Sequence, residues 1–110
     1  MTLSLHDPDN RETLMPVYFV EHKHTPETCP TQQPEMMKML GQHVSQENAD
    51  KFGITIKSDI VHPGEHRLNM VLVAASQAPI DDFMKPFSMV GSVEVKEVST
   101  CDIVVATGRC

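Results

Sequence analysis

Residues 54–75, ITIKSDIVHPGEHRLNMVLVAA, decide the fold. Ile54, Ile56, Ser58 and Ile60 alternate onto one face, Pro63-Gly64 supplies a turn, and the apolar run ending at Ala75 returns as a second strand, so this stretch reads as a β-hairpin. Working back towards the N-terminus, Met36, Met37, Leu40, His43 and Val44 recur at helical spacing behind Pro34, which suits a first helical turn, and predict a helix over 34–44. Ser45 then reads as the N-cap of a short continuation, QENADKF, closed by Gly53. Further back, VYFVEHKH (17–24) fits a strand with Val17, Phe19, Glu21 and Lys23 on one face and Tyr18, Val20, His22 and His24 on the other. Both faces begin apolar, which places this strand in the middle of a sheet. TPETCPTQQP (25–34) holds three prolines and is a loop.

Towards the C-terminus, residues 76–90 predict a second helix. Ser76 or Gln77 caps it, Pro79 occupies its first turn, and Ile80, Phe83, Met84 and Phe87 form its apolar stripe. Pro86 is expected to distort its end. SVEVKEV (92–98) and TCDIVVA (100–106) read as one last strand, bulged near Ser99-Thr100. The order is βαββαβ, an α+β chain of the ferredoxin-like class, with a four-stranded antiparallel sheet and two helices on one face. Residues 1–14 carry His6 and the turn cluster Asp7-Pro8-Asp9-Asn10 and read as a flexible N-terminal arm. Residues 15–110 read as the domain.

This arrangement, with Phe83-Met84-Lys85-Pro86-Phe87 followed by Gly91-Ser92-Val93-Glu94-Val95, resembles small proteins of the dimeric α+β barrel superfamily. The resemblance rests on pattern and topology and covers nearly all of the chain after residue 14. It implies a homodimer in which two sheets face each other and close a barrel. That superfamily includes monooxygenases, haem-degrading enzymes, isomerases and metal-binding proteins, so the resemblance implies a dimer rather than a reaction.

Composition narrows the function classes. The 110 residues include 9 Lys plus Arg against 15 Asp plus Glu, a net charge of −6; with no basic stripe to neutralise phosphates, nucleic acid is not an expected partner. No apolar run approaches the roughly 20 residues that span a bilayer. The start of the chain is too polar and acidic for a secretory signal, so the expected compartment is the cytoplasm. Three cysteines cannot all pair within one chain, and in a reducing compartment thiols serve more often as ligands, reactive groups or fillers than as disulfides. Six His and eight Met beside them enrich the chain in soft and borderline metal ligands.

The chemistry concentrates in Glu21-His22-Lys23-His24-Thr25-Pro26-Glu27-Thr28-Cys29. Two histidines two apart on a strand share a face with Cβ atoms roughly 6 to 7 Å apart, within reach of one metal ion. Cys29 can fold back over them from its proline-stiffened loop. In a βαββαβ sheet the hairpin residues His62, Glu65 and His66 converge on the same end. The metal site is therefore expected among His22, His24, Cys29, His62 and His66. Mixed imidazole and thiolate ligands favour Zn²⁺ first, then copper, while carboxylate from Glu21 or Glu65 would suit Ni²⁺ or Fe²⁺. Three ligands would leave a position where water or a small molecule is activated; four would make a closed centre for metal carriage or structure.

Other readings stay open. A histidine near a strand end is commonly a partly exposed hydrogen-bonding residue. His43 could be a haem ligand of the kind some barrel relatives use, or a residue that bonds carbonyls at a helix end. The methionines of the first helix read as core and groove filling rather than a Cu(I) cluster. Cys101 reads as a small buried residue of the last strand, and Cys110 as an exposed end. A cofactor-free or haem-using enzyme with a pocket lined by Tyr18, Phe19, Met70 and Phe87, or an assembly subunit without chemistry, are the alternatives. There is no Gly-rich phosphate loop, no Gly-x-Ser-x-Gly elbow and no Cys-x-x-Cys.

Overall fold

Four strands make one antiparallel sheet in the order β2-β3-β1-β4, in a computed structural model that describes residues 15–29 and 33–108. The reading of 1–14 as an arm, with His6, and the reading of Cys110 lie outside the described residues. The strands are β1 (Val17–Lys23), β2 (Thr55–His62), β3 (Arg67–Val73) and β4 (Ser92–Val98). Between them lie α1 (Pro34–His43), α2 (Gln46–Asp50), α3 (Gln77–Phe83) and α4 (Lys85–Ser88), and α5 (Cys101–Thr107) follows β4. β1 is central, as expected, although Phe19 on its far face is exposed: Val20 pairs with Met70 on one side and Val95 on the other.

The register assigns the faces. Tyr18, Val20 and His22 of β1 lie beside Leu72, Met70 and Leu68 of β3, and this row faces the helices. There it meets Leu40, Ala49, Ile80, Phe83 and Phe87, one from each of α1, α2 and α4 and two from α3. Burying side chains of this size stabilises the fold by about 1.5–3 kcal/mol each, and Phe83 is fully inaccessible. The other face carries Phe19, Glu21, Ile60 and Asn69, of which Phe19 and Ile60 are exposed at 39% and 53%.

Local chemistry explains the helix ends. Ser45 accepts a hydrogen bond from the Asn48 amide at 3.1 Å, the N-cap expected of it. Gln46 extends this to the sheet: its amide donates to the Ile54 carbonyl at 2.9 Å while its carbonyl accepts from the Ile56 amide at 2.8 Å. His43 donates from Nε2 to the Phe83 carbonyl at 2.5 Å, accepts at Nδ1 from Asn48, and stacks on the Phe83 ring, so it ties α1 to α3 with both nitrogens used. Pro86 interrupts the predicted second helix, which breaks at Met84 into α3 and α4.

Two expectations are corrected. Ile60 does not share a face with Ile54 and Ile56, because a bulge between Ile56 and Ser58 inserts an extra residue and exchanges the faces beyond it. Asp59 and Val61 therefore take the helix-facing positions, opposite Met70 and Leu68. The last strand ends at Val98, and residues 101–107 are helical, with Thr100 at the N-cap position and Gly108 in the left-handed conformation at the C-terminus (φ 68°). Cys101 is thus an exposed residue at a helix start, not a buried strand residue. No helix among the described residues is long and apolar enough to cross a membrane.

Candidate metal centre

The end of β1, the loop after it and the β2–β3 hairpin meet at one corner of the sheet. Beyond Lys23 the chain keeps the strand's alternation for one more residue, so His24 follows His22 on the helix-facing side. A single 3₁₀ turn, Pro26–Thr28, then reverses the chain, and the Cys29 amide bonds the Pro26 carbonyl at 3.3 Å. This brings the Cys29 thiol back to His24. The hairpin closes through a bond from the Glu65 amide to the His62 carbonyl at 3.0 Å, with Gly64 at φ 79°. His66 follows at φ 55°, a left-handed conformation that costs a non-glycine residue energy and that histidine enters more readily than most. The His24 amide bonds the His66 carbonyl at 3.1 Å and pins the hairpin to the end of β1.

The result is a three-residue donor cluster. One donor atom each from His24, Cys29 and His66 lie within 4.8 Å of one another. The rings of His24 and His66 meet edge to face at 5.1 Å. Bonds to tetrahedral zinc of about 2.0–2.3 Å separate the donors by about 3.3–3.8 Å, so closing on an ion requires side-chain adjustments of about an ångström.

His22 stands behind this cluster and fixes the state of His24. Its Nδ1 lies 3.2 Å from the Ser92 carbonyl, an acceptor only, so Nδ1 carries the proton and donates. The neutral ring then offers a lone pair at Nε2, which lies 3.2 Å from Nδ1 of His24 and accepts its proton bond. That leaves Nε2 of His24 as a bare lone pair. Two buried side-chain polar atoms among the described residues have no hydrogen-bond partner, this Nε2 and Nε of Arg67. Metal-bound histidines ordinarily donate their second nitrogen in this way. Burial pushes the His22 imidazole below its usual pKa, helped by the neighbouring His24 and opposed by the Ser92 bond. Burial, then His66, does the same to His24. Both rings are held neutral, the form a metal needs.

Gly91 makes the pair fit. A Cβ there would sit 2.1 Å from the Lys23 carbonyl oxygen and 3.0 Å from both His22 and His24. Phe87 covers the far side of His22, edge to face at 5.2 Å.

Of the five residues expected from sequence, the fold brings His24, Cys29 and His66 together. His22 lies against His24 with both nitrogens engaged. His62 is held elsewhere: its Nε2 donates to Asn69, and its Nδ1 accepts from Arg67 at 3.3 Å. Asn69 in turn donates to Glu21 at 3.1 Å, and Arg67 pairs with Glu21 and Glu65. Glu21 and Asn69 of this network lie on the face away from the helices, while His62 and Arg67 also border the cavity beside the cluster; the Asn69 bond, more than the Lys23 and Arg67 charges, holds the Glu21 carboxyl below its usual pKa. Gly91 and Ser92 carry no sequence mark as site residues, because a close backbone approach between distant strands leaves no local signal.

The cluster opens on a cavity of about 440 Å³ between α1 and the β2–β3 hairpin. Met37, Leu40, Val44, Val61, Leu68 and Phe87 give it apolar walls, and Asp59, His62 and Arg67 add polar groups. Of the pocket expected from sequence only Phe87 lines this cavity; Tyr18 and Met70 are core residues, and Phe19 lies on the other face of the sheet. Compared with known proteins, the chain matches no family model, and neither a curated protein nor a solved structure matches it significantly.

Proposed function

We propose that this chain binds one transition-metal ion, zinc first, through His24 Nε2, Cys29 Sγ and His66, and uses the remaining coordination position for a small molecule. The observation that carries this reading is the buried, partnerless Nε2 of His24, held as a lone pair by His22 beside two further ligand types. A buried acceptor without a partner costs about 1–3 kcal/mol; a metal bond removes that cost. Two imidazoles and one thiolate form a set that zinc takes in three-ligand centres, and copper accepts the same set. A reducing compartment such as the cytoplasm would keep Cys29 reduced and available to a metal.

The β2-β3-β1-β4 order supports the ferredoxin-like reading. The exposed Phe19 and Ile60 support pairing of two chains through the face away from the helices. Size-exclusion chromatography of untagged protein with elemental detection tests both points in one run. The expected result is about one zinc per chain, eluting at twice the chain mass, with zinc lost in His24→Ala, Cys29→Ser and His66→Ala but retained in His62→Ala. Zinc retained after His66→Ala would overturn this ligand set, and elution at the single-chain mass would overturn the pairing.

A further inference from the structure

We propose that the cavity beside the cluster takes a small organic monoanion, whose oxygen donor completes the metal's coordination while a short apolar body lies against Leu40, Val44 and Leu68. This rests on the metal-binding reading above and adds the class of ligand. Three features of the molecule point to it.

Charge sets the head group. A divalent ion with one thiolate and two neutral imidazoles carries a net charge of +1; Asp59 and Arg67 bring one charge of each sign to the cavity wall and leave that sum unchanged, so a single negative oxygen donor neutralises the centre. The cavity sets the body. At about 440 Å³ it falls in the lower part of the roughly 300–1,000 Å³ that small-molecule sites span, and its walls are predominantly apolar side chains from α1, the sheet and α4.

Gly41 supplies the third feature. It lies inside α1, where glycine is less favourable than alanine by about 1 kcal/mol, and it lines the cavity. A Cβ built there meets nothing within 4 Å. No packing neighbour or unusual backbone angle requires glycine at this position. Gly41 thus borders the cavity with no side chain, and the space beside it is open.

The test uses zinc and simple carboxylates on the full chain, followed by calorimetric titration. Acetate has the head group alone, hexanol the body alone, and hexanoate both. Each buried methylene is worth about fourfold in affinity, so zinc-loaded protein is expected to bind hexanoate more than about tenfold tighter than acetate or hexanol. Removing zinc should weaken hexanoate by about tenfold or more. Gly41→Leu fills the space from α1, which carries none of the three ligands, so it should lose hexanoate binding while taking up zinc as before. Gly41→Ala, a helix-stabilising change, should weaken hexanoate by a smaller factor and controls for misfolding.

Equal binding of acetate and hexanoate, hexanoate binding indifferent to zinc, or full hexanoate affinity in Gly41→Leu would each overturn the proposal. Failure of the wild-type chain to take up zinc would overturn the metal reading itself, and the zinc titration shows that separately. Normal zinc uptake with no carboxylate binding overturns the ligand proposal alone.

Discussion

At the scale of single residues, the division of labour between His22 and His24 decides what the site can do. Both rings lie on one face of β1 and touch, with centroids 5.2 Å apart. Yet one spends both nitrogens on protein partners, and the other keeps a lone pair exposed to the cluster. Losing such an outer partner typically weakens metal binding by about 10–100-fold. His22→Leu is therefore expected to lower zinc affinity by about that factor in a chelator competition, while His22→Gln, whose side-chain oxygen can accept from His24 Nδ1, retains most of it. Equal loss in both variants would mean that packing, not the proton bond, is what His22 supplies. Strand alternation in the sequence places the two histidines on one face, and loop length puts Cys29 within reach. Which nitrogen faces which partner depends on Ser92, 70 residues away, and no spacing rule reads that.

At the scale of elements, the corner depends on how closely β1 and β4 approach. Gly91 enters β4 against the end of β1, where the Lys23 carbonyl occupies the place of a side chain. Gly91→Ala must push that backbone aside, together with His22 and His24. Its expected cost is about 1–3 kcal/mol, read as a lower urea midpoint, with weaker zinc binding alongside. A variant with unchanged midpoint and zinc affinity would contradict the close approach. The hairpin and both helix-forming stretches were legible because turn residues and apolar periodicity agree there. Two elements were not. The bulge after Ile56 leaves no mark in the alternation of ITIKSDIVH, yet it turns Ile60 outwards and Asp59 and Val61 towards the cavity. Residues 101–107 are rich in β-branched side chains, but the helix carries Asp102 in its first turn and closes at a left-handed Gly108, whose amide donates to the Val104 carbonyl at 2.7 Å. In a run this short, propensity is a weaker signal than capping.

At the scale of the whole molecule, the neutral histidines make folding depend on pH. His22 and His24 both have pKa values below their ordinary 6.5 in the folded chain, chiefly through burial. As pH falls through 6.5 the unfolded chain takes up protons that the folded chain refuses, so the unfolded state binds more protons and stability drops. The drop continues until the lowered folded-state values are passed, then levels; above about pH 7.5 both states are neutral and the pair contributes no slope. The metal-free protein is expected to show a urea midpoint that declines as pH falls below 6.5. His22→Gln/His24→Gln should flatten that decline, and an unchanged slope in the double variant would assign it to other groups.

The same neutrality leaves His24 ready to bind an ion without first shedding a proton, and that ties the folding of the corner to its use. Zinc-edge X-ray absorption on the untagged, zinc-loaded protein tests this most directly. The expected shell is one sulfur at about 2.3 Å and two imidazole nitrogens at about 2.0–2.1 Å, with the sulfur gone in Cys29→Ser. A shell of only oxygen and nitrogen, or one unchanged by Cys29→Ser, would contradict it.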